Sequence, residues 1–432
     1  MGAMGTLYDV VGAGALALVS PYLLWRGLRH PAEMAERWGG GSWDRARGGT
    51  WWHAASVGEL EALGPVLRLA RSRRPATRHA VTCLTPTGRR RAASLWGSSS
   101  DVGMVPLDWT PFVRRRMDRL DPAALVLVET ELWPALLREA RRRGLPTGIV
   151  NGRVSDRTFS RYMALRPLFK PLLEVVRCVG ARSSHDAAAL AALGVPEGRI
   201  LVTGNTKYEL PQADPAPAPW IARPRWTALF VFGSLRSGEL EHVRRALDAL
   251  ARDLPDPATA LVLLAPRHPD RAARFVEAAR ALGLPVTLRS RIDSAVTPRP
   301  RGPFVVVVDT LGELRDLWPL ATAGFVGGTL TPVGGHNLFE PAARGCPTLF
   351  GPSLETVADV ASALLQTGGG RVVADGDRLG RTLCELAALP SEREEMSRRA
   401  LEAAERLGGA AEATVGWLER WGLLPGAGDP VP

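Results

Sequence analysis

Short apolar runs alternate with amphipathic stretches along most of the chain. The runs end at Gly, Pro or polar residues, which is typical of buried parallel strands, and the stretches between them repeat apolar residues at helical spacing. Strands that alternate with helices predict parallel sheets of the Rossmann type. The predicted strands are 50–55, 79–84, 124–128, 147–150, 228–232, 260–264, 304–308, 323–326 and 348–350. The predicted helices between them include 133–143, 239–250, 270–282 and 338–343.

Two such α/β halves predict two domains, because a chain of 432 residues exceeds one compact core. Two Rossmann-like domains usually bind small molecules in the cleft between them. The last helix of the second domain is expected to pack back on the first. The predicted boundaries are an N-terminal helix over 1–30, a first domain over 31–210, a Pro/Ala-rich linker over 211–225 and a second domain over 226–424.

The N-terminus differs from the rest of the chain. Residues 5–25 are almost wholly apolar, with Asp9 as their one charge, and Arg26 and Arg29 follow them. This length suits a helix that crosses or enters a bilayer. No positive segment precedes the run, which disfavours a secretory signal, and the basic flank after it predicts a cytoplasmic main body. Both a membrane span and an interfacial helix fit, and so does a helix packed on protein.

The net charge of +10 predicts an anionic partner: a phosphorylated substrate, an acidic membrane surface or nucleic acid. The basic residues are dispersed and no basic stretch is interleaved with aromatic residues, which disfavours nucleic acid. The four cysteines are scattered without a C-x-x-C pair. Neither a zinc site nor a disulfide framework is therefore expected, and a reducing compartment fits.

Glu59 is the first candidate for chemistry. The strand predicted at 50–55 breaks at Ser56 and delivers Glu59 to the first turn of an amphipathic helix. Functional groups collect where strands end and helices begin in α/β folds. The helix dipole there is expected to keep Glu59 ionised. An ionised carboxylate at a cleft suits a general base.

Other polar residues follow strands in the first half. Glu129 comes directly after the strand at 124–128, whereas Glu131 lies nearer the next helix and has the alternative role of capping it. Lys207 lies near the predicted linker, where it either reaches the cleft or lies on the surface. Residues 85–91 combine hydroxyls, a glycine and three arginines at a helix start. They predict an anion cradle or, alternatively, an N-cap before a solvated basic face.

In the second half, a glycine-rich segment at 334–341 is the strongest signal. Its glycines allow close backbone approach to a ligand, and Asn337 is predicted at or near the start of a helix. Glu340, one turn later, is expected on the same helix face, so that the two side chains bind ribose hydroxyls. For His268 we expect packing or a hydrogen bond to its loop, because no second ligand stands at metal-binding spacing. The segment predicts a nucleotide-sugar site.

Taken together, these motifs resemble the 3-deoxy-D-manno-octulosonic acid (Kdo) transferase family, which builds the lipopolysaccharide inner core on lipid A precursors. The similarity runs over nearly the whole chain, and the order of the motifs makes it specific. The matching segments are 37–39, 53–59, 85–88, 106–108, 129–134, 151–153, 204–207, 266–268, 311–314 and 334–341.

The resemblance implies an α/β fold of the GT-B type, with two Rossmann-like domains that face a central cleft and an N-terminal apolar helix. The first domain is expected to bind the acceptor and the second the CMP-sugar. The implied activity is an inverting, metal-independent transfer of Kdo from CMP-Kdo to a lipid A precursor. It would occur at the cytoplasmic face of the inner membrane, on an anionic surface, without a cofactor other than the donor substrate.

The resemblance also implies residue roles. Glu59 matches the proton acceptor, and Glu129 and Lys207 match positions that stabilise the transition state. The departing CMP phosphate needs positive charge and helix N-termini. Arg267, the loop at Ser234 and the turn before Asn337 are expected to supply them. The predicted donor-binding residues are Ser234, Pro266, Arg267, Leu311, Gly312, Glu313, Asn337, Leu338, Phe339 and Glu340.

One loop departs from the family pattern. After Gly233-Ser234 the family usually has a small polar residue and a histidine before an acidic helix, whereas this chain has Leu235 and Arg236. The alternative function is that of a GT-B relative, transferase or epimerase, which uses another nucleotide sugar. Epimerases of that fold do not need an apolar N-terminal anchor, so the first 25 residues disfavour one.

Overall fold

A computed structural model describes residues 3–209, 218–221, 225–293, 296–297 and 302–425. The chain divides into two compact units. Unit 1 comprises Met1–Glu209 and Gly408–Pro432, and unit 2 comprises Leu210–Leu407. Most of the predicted linker, at 211–217 and 222–224, lies outside the described residues.

Unit 1 is built on one parallel sheet. Its strands are β1 (Thr50–His53), β2 (His79–Cys83), β3 (Asp101–Met104), β4 (Ala124–Val128), β5 (Thr147–Gly152), β6 (Val176–Ala181) and β7 (Ile200–Val202). Within the described residues, the seven strands follow the order β3-β2-β1-β4-β5-β6-β7. Every residue of β1, β2, β4 and β5 is buried, which explains why these strands read as continuous apolar runs.

Helices cover the sheet of unit 1. They are α1 (Ala3–Arg29), α2 (Pro31–Arg37), α3 (Val57–Arg73), α4 (Pro86–Trp96), α5 (Thr110–Leu120), α6 (Pro134–Arg142), α7 (Asp156–Ala164), α8 (Arg166–Leu173) and α9 (Ser184–Leu193), with a 3-10 turn at Glu197–Arg199.

The first helix combines anchoring polar contacts with exposed apolar side chains. Tyr8 OH donates to Asp108 Oδ2 (2.6 Å), and Asp9 Oδ1 accepts from Arg138 Nη2 (2.7 Å). Farther along, Leu18 and Leu28 are 84% and 85% exposed. By length and composition alone, the segment Tyr8–Arg29 is able to cross a membrane. Membrane association therefore stays a prediction.

Unit 2 repeats the same architecture. Its strands are β8 (Ala228–Leu235), β9 (Ala260–Pro266), β10 (Val286–Leu288), β11 (Phe304–Val307), β12 (Ala323–Val326), β13 (Thr348–Phe350) and β14 (Gly370–Val372). In the part of the chain that the structure describes, they form a second seven-stranded parallel sheet in the order β10-β11-β9-β8-β12-β13-β14.

The helices of unit 2 are α10 (Leu240–Asp253), α11 (Ala272–Ala281), α12 (Leu314–Leu317), α13 (Phe339–Ala342), α14 (Ala358–Thr367), α15 (Gly376–Ala388) and α16 (Pro390–Leu407). Its 3-10 turns are Ser237–Glu239, Pro257–Thr259, Pro269–Arg271, Arg289–Arg291 and Trp318–Leu320.

The chain ends on unit 1. Helix α17 (Ala410–Arg420) and the residues after it pack against the unit 1 sheet. Leu423 is fully buried, and its carbonyl accepts a hydrogen bond from Thr50 Oγ1 (2.8 Å). A methyl group at Gly148 in β5 would lie 2.6 Å from Leu423 Cδ2, so the glycine makes room for this side chain. The C-terminal segment thus completes the core of unit 1.

Five strands were not evident in the sequence. Four of them, β3, β7, β10 and β14, are the outer strands of the two sheets. Strands β7, β10 and β14 are short and only partly buried, as the three half-buried residues of β10 illustrate, so they lack the continuous apolar signal. Strand β3 is mostly buried, but Asp101 and Gly103 interrupt its apolar pattern. The fifth, β6, is interrupted by Arg177 and Gly180.

We predict that Leu423→Ala lowers the free energy of unfolding of unit 1 by about 2–5 kcal/mol, because it opens a cavity between the C-terminal segment and β5. Denaturant unfolding measures the change. Leu95→Ala is the matched control, since Leu95 is 42% exposed and its truncation should cost less than about 0.5 kcal/mol. Equal effects of the two substitutions would contradict the role of Leu423.

Candidate active site

Glu59 lies in the turn between β1 and α3, where its own turn fixes the side chain. Ser56 is the N-cap of α3: its Oγ accepts from Glu59 N–H (3.3 Å) and donates to Glu59 Oε1 (2.9 Å). The second carboxylate oxygen, Oε2, accepts from Ala55 N–H (2.7 Å). Ser56 and Glu59 thus bind each other at the start of α3, and the carboxylate also accepts from the residue before the N-cap. These contacts by themselves account for a structural role.

The raised pKa of Glu59 indicates a role in addition to its contacts at the helix start. The residue is only 9% exposed. Burial and then the negative charge of Glu131 raise the pKa of Glu59 to about 7, against the hydrogen bonds from Ala55 and Ser56. The prediction that the helix N-terminus keeps Glu59 ionised is therefore wrong near neutral pH. A carboxyl with a pKa near 7 accepts and releases protons at neutral pH, which suits acid–base chemistry.

Glu129 and Lys207 form an ion pair beside this turn. Glu129 follows β4 with a φ of 58°, a left-handed conformation that is uncommon for residues other than glycine. Lys207 Nζ donates to Glu129 Oε1 (3.1 Å). A methyl group at Gly58 would lie 4.0 Å from Lys207 Nζ, which locates the ammonium at the start of α3. The three residues predicted to be catalytic, Glu59 included, thus lie together.

Glu131 and His53 also belong to this cluster. The alternative that Glu131 caps the next helix is wrong: Glu131 Oε2 accepts from Trp133 Nε1–H (2.8 Å) and lies 3.6 Å from His53 Nε2. His53 is fully buried, with Nδ1 3.1 Å from both oxygens of Thr82. A polar residue at the end of an apolar strand was the available signal for His53. Its pairing with Glu131 depends on the β1–β4 contact.

Buried polar contacts fix the loop that carries Lys207. Asn151 Oδ1 accepts from Thr206 N–H (3.0 Å), and Thr206 Oγ1 donates to Ala62 O in α3 (2.9 Å). Lys207 N–H donates to Asn205 Oδ1 (3.2 Å). The ammonium of Lys207 is therefore held at the sheet edge, and the alternative that it only lies on the open surface is wrong.

The predicted donor-binding residues lie at the carboxyl edge of the unit 2 sheet. β8 pairs with β9 up to Leu235 and Pro266, and Arg267 N–H donates to Leu235 O (2.9 Å). β11 lies beside β9, and β12 lies beside β8, so the loops after four strands meet at one edge. Located there are Ser234, Pro266, Arg267, Leu311, Gly312, Glu313, Asn337, Leu338, Phe339 and Glu340.

The helix near Asn337 is shorter than predicted. It spans only Phe339–Ala342, so Asn337 precedes it and does not share a helix face with Glu340. Asn337 Oδ1 accepts from Phe339 N–H (3.0 Å) and Glu340 N–H (3.3 Å). Burial raises the pKa of Glu340. Because the side chains of Leu338 and Phe339 are buried, only their backbone groups are suited to contact a ligand.

The loop after β11 has its own internal contacts. Glu313 Oε1 accepts from Thr310 Oγ1–H (2.6 Å), and Glu313 Oε2 accepts from Arg289 Nε–H (2.9 Å). Gly312 has a φ of 88°, and Leu311 is 84% exposed. The loop therefore offers an apolar side chain and backbone groups to a ligand, while the Glu313 carboxylate already has two partners.

His268 is exposed at the start of a 3-10 turn. Of the two predicted alternatives, packing in the protein is therefore wrong, and a hydrogen bond to its loop stays a prediction. Its charge instead acts on His336. Among the described residues, no group of three or more His, Cys, Asp or Glu side chains is placed to hold a metal ion.

Sequence relatives point to one family. The family described as 3-deoxy-D-manno-octulosonic-acid transferase (kdotransferase) matches residues 32–210. A 3-deoxy-D-manno-octulosonic acid transferase of Chlamydia pneumoniae is 30% identical over 381 residues, which cover 84% of this chain and 84% of that protein. This chain belongs to the 3-deoxy-D-manno-octulosonic acid transferase family. The Kdo transferase of Haemophilus influenzae is 28% identical over 417 residues, 94% of this chain and 93% of that protein. The predicted resemblance is confirmed.

Solved structures share the fold at low identity. A putative UDP-N-acetylglucosamine 2-epimerase of Listeria monocytogenes has a TM-score of 0.56 at 13% identity, covering 87% of this chain and 96% of that one. MurG of Acinetobacter baumannii has a TM-score of 0.52 at 15% identity, covering 86% and 99%. These likenesses show the fold alone. With two parallel Rossmann-like sheets and the apolar helix α1, they confirm the α/β fold class of the GT-B type in this Kdo transferase family member.

We predict opposite shifts of the Glu59 pKa when its charged neighbours are removed. Glu131→Gln deletes a nearby negative charge, so the pKa of Glu59 should fall below about 7. Lys207→Met leaves Glu129 unpaired, so the pKa of Glu59 should rise above that value. NMR titration of ¹³C-labelled glutamate carboxyls measures both shifts, with the Glu59 signal assigned from Glu59→Gln. Shifts of the same sign in both variants would contradict this electrostatic account.

Proposed function

We propose that this Kdo transferase family member moves Kdo from CMP-Kdo to a hydroxyl of a lipid A precursor, with inversion at the anomeric carbon and without a metal ion. The observation that carries the proposal is the Glu59 carboxyl, which lies at a strand end with a pKa of about 7. Family membership supports Kdo as the sugar. CMP-Kdo as the donor rests on the family resemblance. Metal independence rests on the family resemblance.

Glu59 acts as the general base in this proposal. The acceptor hydroxyl oxygen attacks the anomeric carbon of Kdo while its proton passes to the Glu59 carboxylate. The bond from the anomeric carbon to the CMP phosphate breaks on the opposite side, and its electrons leave with CMP. Because attack and departure occur on opposite faces, one displacement inverts the anomeric centre. A base whose pKa lies near the working pH is ionised in a large fraction of the molecules and is still basic enough to accept the proton.

Glu129 and Lys207 stabilise the charge that develops during transfer. The anomeric carbon gains positive charge as CMP leaves, and a fixed carboxylate such as Glu129 stabilises it. Lys207 holds the Glu129 carboxylate in place through their 3.1 Å ion pair. The left-handed backbone of Glu129 is a strained conformation of the kind that is retained at functional sites.

The edge of unit 2 holds the donor in this proposal. Arg267 supplies positive charge for the phosphate, and the backbone groups of the Ser234 loop and the 334–341 segment approach it closely. The exposed Leu311 and the Asn337 region contact the cytidine. The leaving CMP is thereby stabilised without a metal ion.

The composition of helix α1 supports a membrane location in this proposal, and with it a lipid acceptor. Helix α1 exposes apolar side chains along most of its length, and Arg26 and Arg29 lie in its last turn. The chain carries a net charge of +10, which favours an anionic lipid surface. We therefore place the protein at the cytoplasmic face of the inner membrane, where the lipid A precursor is accessible to unit 1.

We predict that Glu59→Gln lowers kcat for Kdo transfer by about 100-fold to 10,000-fold, because the amide cannot accept the proton of the acceptor hydroxyl. The affinity for CMP should stay unchanged, since the donor residues lie in unit 2. Product mass after incubation with CMP-Kdo and a lipid A precursor measures transfer, and calorimetry measures CMP binding.

Glu61→Gln is the matched control for this substitution. Glu61 lies on the same helix, two residues on, but its side chain is exposed. It should transfer Kdo at the wild-type rate. Full activity of Glu59→Gln, or equal losses in the two variants, would contradict the assignment of the base.

We also predict that excess EDTA leaves the rate of transfer unchanged. The positive charges of the protein, and not a metal ion, stabilise the departing CMP in our proposal. The rate with EDTA is compared with the rate after adding back Mg²⁺ or Mn²⁺. Loss of transfer with EDTA and recovery with either ion would contradict metal independence.

A further inference from the structure

The loop after β8 begins with an arginine, Arg236. Arg236 follows Ser234, whose φ of 56° is left-handed, and the backbone N–H of Arg236 donates to Glu239 Oε2 (2.9 Å). The loop therefore turns sharply and is tied down immediately after Arg236. The backbone position of Arg236 is fixed independently of what its guanidinium does.

Glu239 joins this loop to the glycine-rich loop after β12. Its carboxylate is fully buried. Besides Arg236 N–H, it accepts from Gly328 N–H (2.9 Å), Thr329 N–H (3.2 Å) and Leu330 N–H (3.1 Å). Four backbone donors occupy the acceptor sites of one carboxylate. Glu239 is thus not available to pair with the Arg236 guanidinium.

The guanidinium of Arg236 instead contacts a histidine. Arg236 Nε donates to His336 Nε2 (3.0 Å), so His336 accepts at Nε2 and is a neutral ring protonated at Nδ1. Burial, followed by the positive charges of Arg236, Arg267 and His268, lowers the pKa of His336 to about 4. The neutral ring orients Arg236 and adds no charge of its own.

Arg236 and Arg267 both act on His336, and both guanidiniums are positively charged. Within the described parts of the chain, neither Arg236 nor Arg267 forms an ion pair with a carboxylate. By contrast, Arg244 and Arg289 in the same unit each pair with a glutamate. Two neighbouring guanidiniums without a counter-charge form an arrangement that binds phosphate bidentately.

We propose that Arg236 is a phosphate-binding residue, which grips the phosphate of the cytidine monophosphate donor together with Arg267. His336 holds its Nε, which restrains the guanidinium and leaves its two Nη groups to donate to the phosphate. His336 is a positioning residue and does not touch the phosphate. This inference rests on the proposed function, because it takes the CMP-linked donor from there.

The test compares CMP with cytidine, which lacks the phosphate, by NMR titration of the full-length chain. The variants are Arg236→Ala and Arg236→Lys. Arg280→Ala is the matched control, because Arg280 is an exposed arginine in the last turn of α11. We expect Arg236→Ala to weaken CMP binding by about 10-fold to 100-fold and to leave cytidine binding unchanged, since a lost charge-assisted hydrogen bond accounts for that range. Arg236→Lys should retain part of the CMP affinity, and Arg280→Ala should retain all of it.

Three results would overturn the proposal. CMP binding by Arg236→Ala at wild-type strength would show that the guanidinium does not hold the phosphate. Equal weakening of CMP and cytidine would show that Arg236 acts only through the shape of its loop. Failure of the wild-type chain to bind CMP would overturn the proposed donor, and this inference with it, whereas the first two results leave the proposed function intact.

Discussion

The candidate site in unit 1 depends on the register of three parallel strands, whose carboxyl ends lie at the same edge of the sheet. His53 pairs with Leu127, and Val128 pairs with Val150, so β1, β4 and β5 end at the same edge of the sheet. His53 is the last residue of β1, Glu129 follows β4 and Asn151 lies near the end of β5, and these polar residues lie at one edge because the strands run in the same direction. A register shift of one residue would turn every side chain of a strand to the opposite face. Only this register brings Glu129 and Glu131 close to Glu59.

Burial and the negative charges at this edge of the sheet destabilise the ionised form of Glu59, and the same effect raises its pKa into the range that suits acid–base chemistry. Glu59, Glu129 and Glu131 lie near one another with Lys207 as the cation paired to Glu129. Since the pKa of Glu59 rises from 4.5 to about 7, the folded state binds an extra proton between these values. The stability contributed by that proton is lost as the pH rises through about 7. Glu139, in its cluster with Arg142 and Arg143, shows the opposite shift, because these guanidiniums lower its pKa to about 2 against the effect of burial.

Much of the fold followed from local pattern, because inner parallel strands are apolar on both faces. The outer strands β7, β10 and β14 escaped prediction because they are only partly buried, and β3 escaped it because Asp101 and Gly103 interrupt its apolar pattern. Among the site residues, Glu59 was evident from a strand, a turn and a helix that adjoin in sequence. The environment of Glu59 was not evident, because it depends on residues distant in sequence. The contact between Lys207 and Glu129, for example, joins residues 78 positions apart. The contact of Arg236 with His336 joins residues 100 positions apart and was likewise not visible.

The pH dependence of kcat for Kdo transfer tests the central claim most directly. If Glu59 is the base and burial and the charges of Glu131 and Glu129 raise its pKa, kcat should rise about tenfold per pH unit on the acidic side and level off above about 7. Glu131→Gln should move that midpoint to lower pH without abolishing transfer. A wild-type midpoint near 4.5, the ordinary value for a glutamate, or a midpoint that Glu131→Gln leaves in place, would contradict the account.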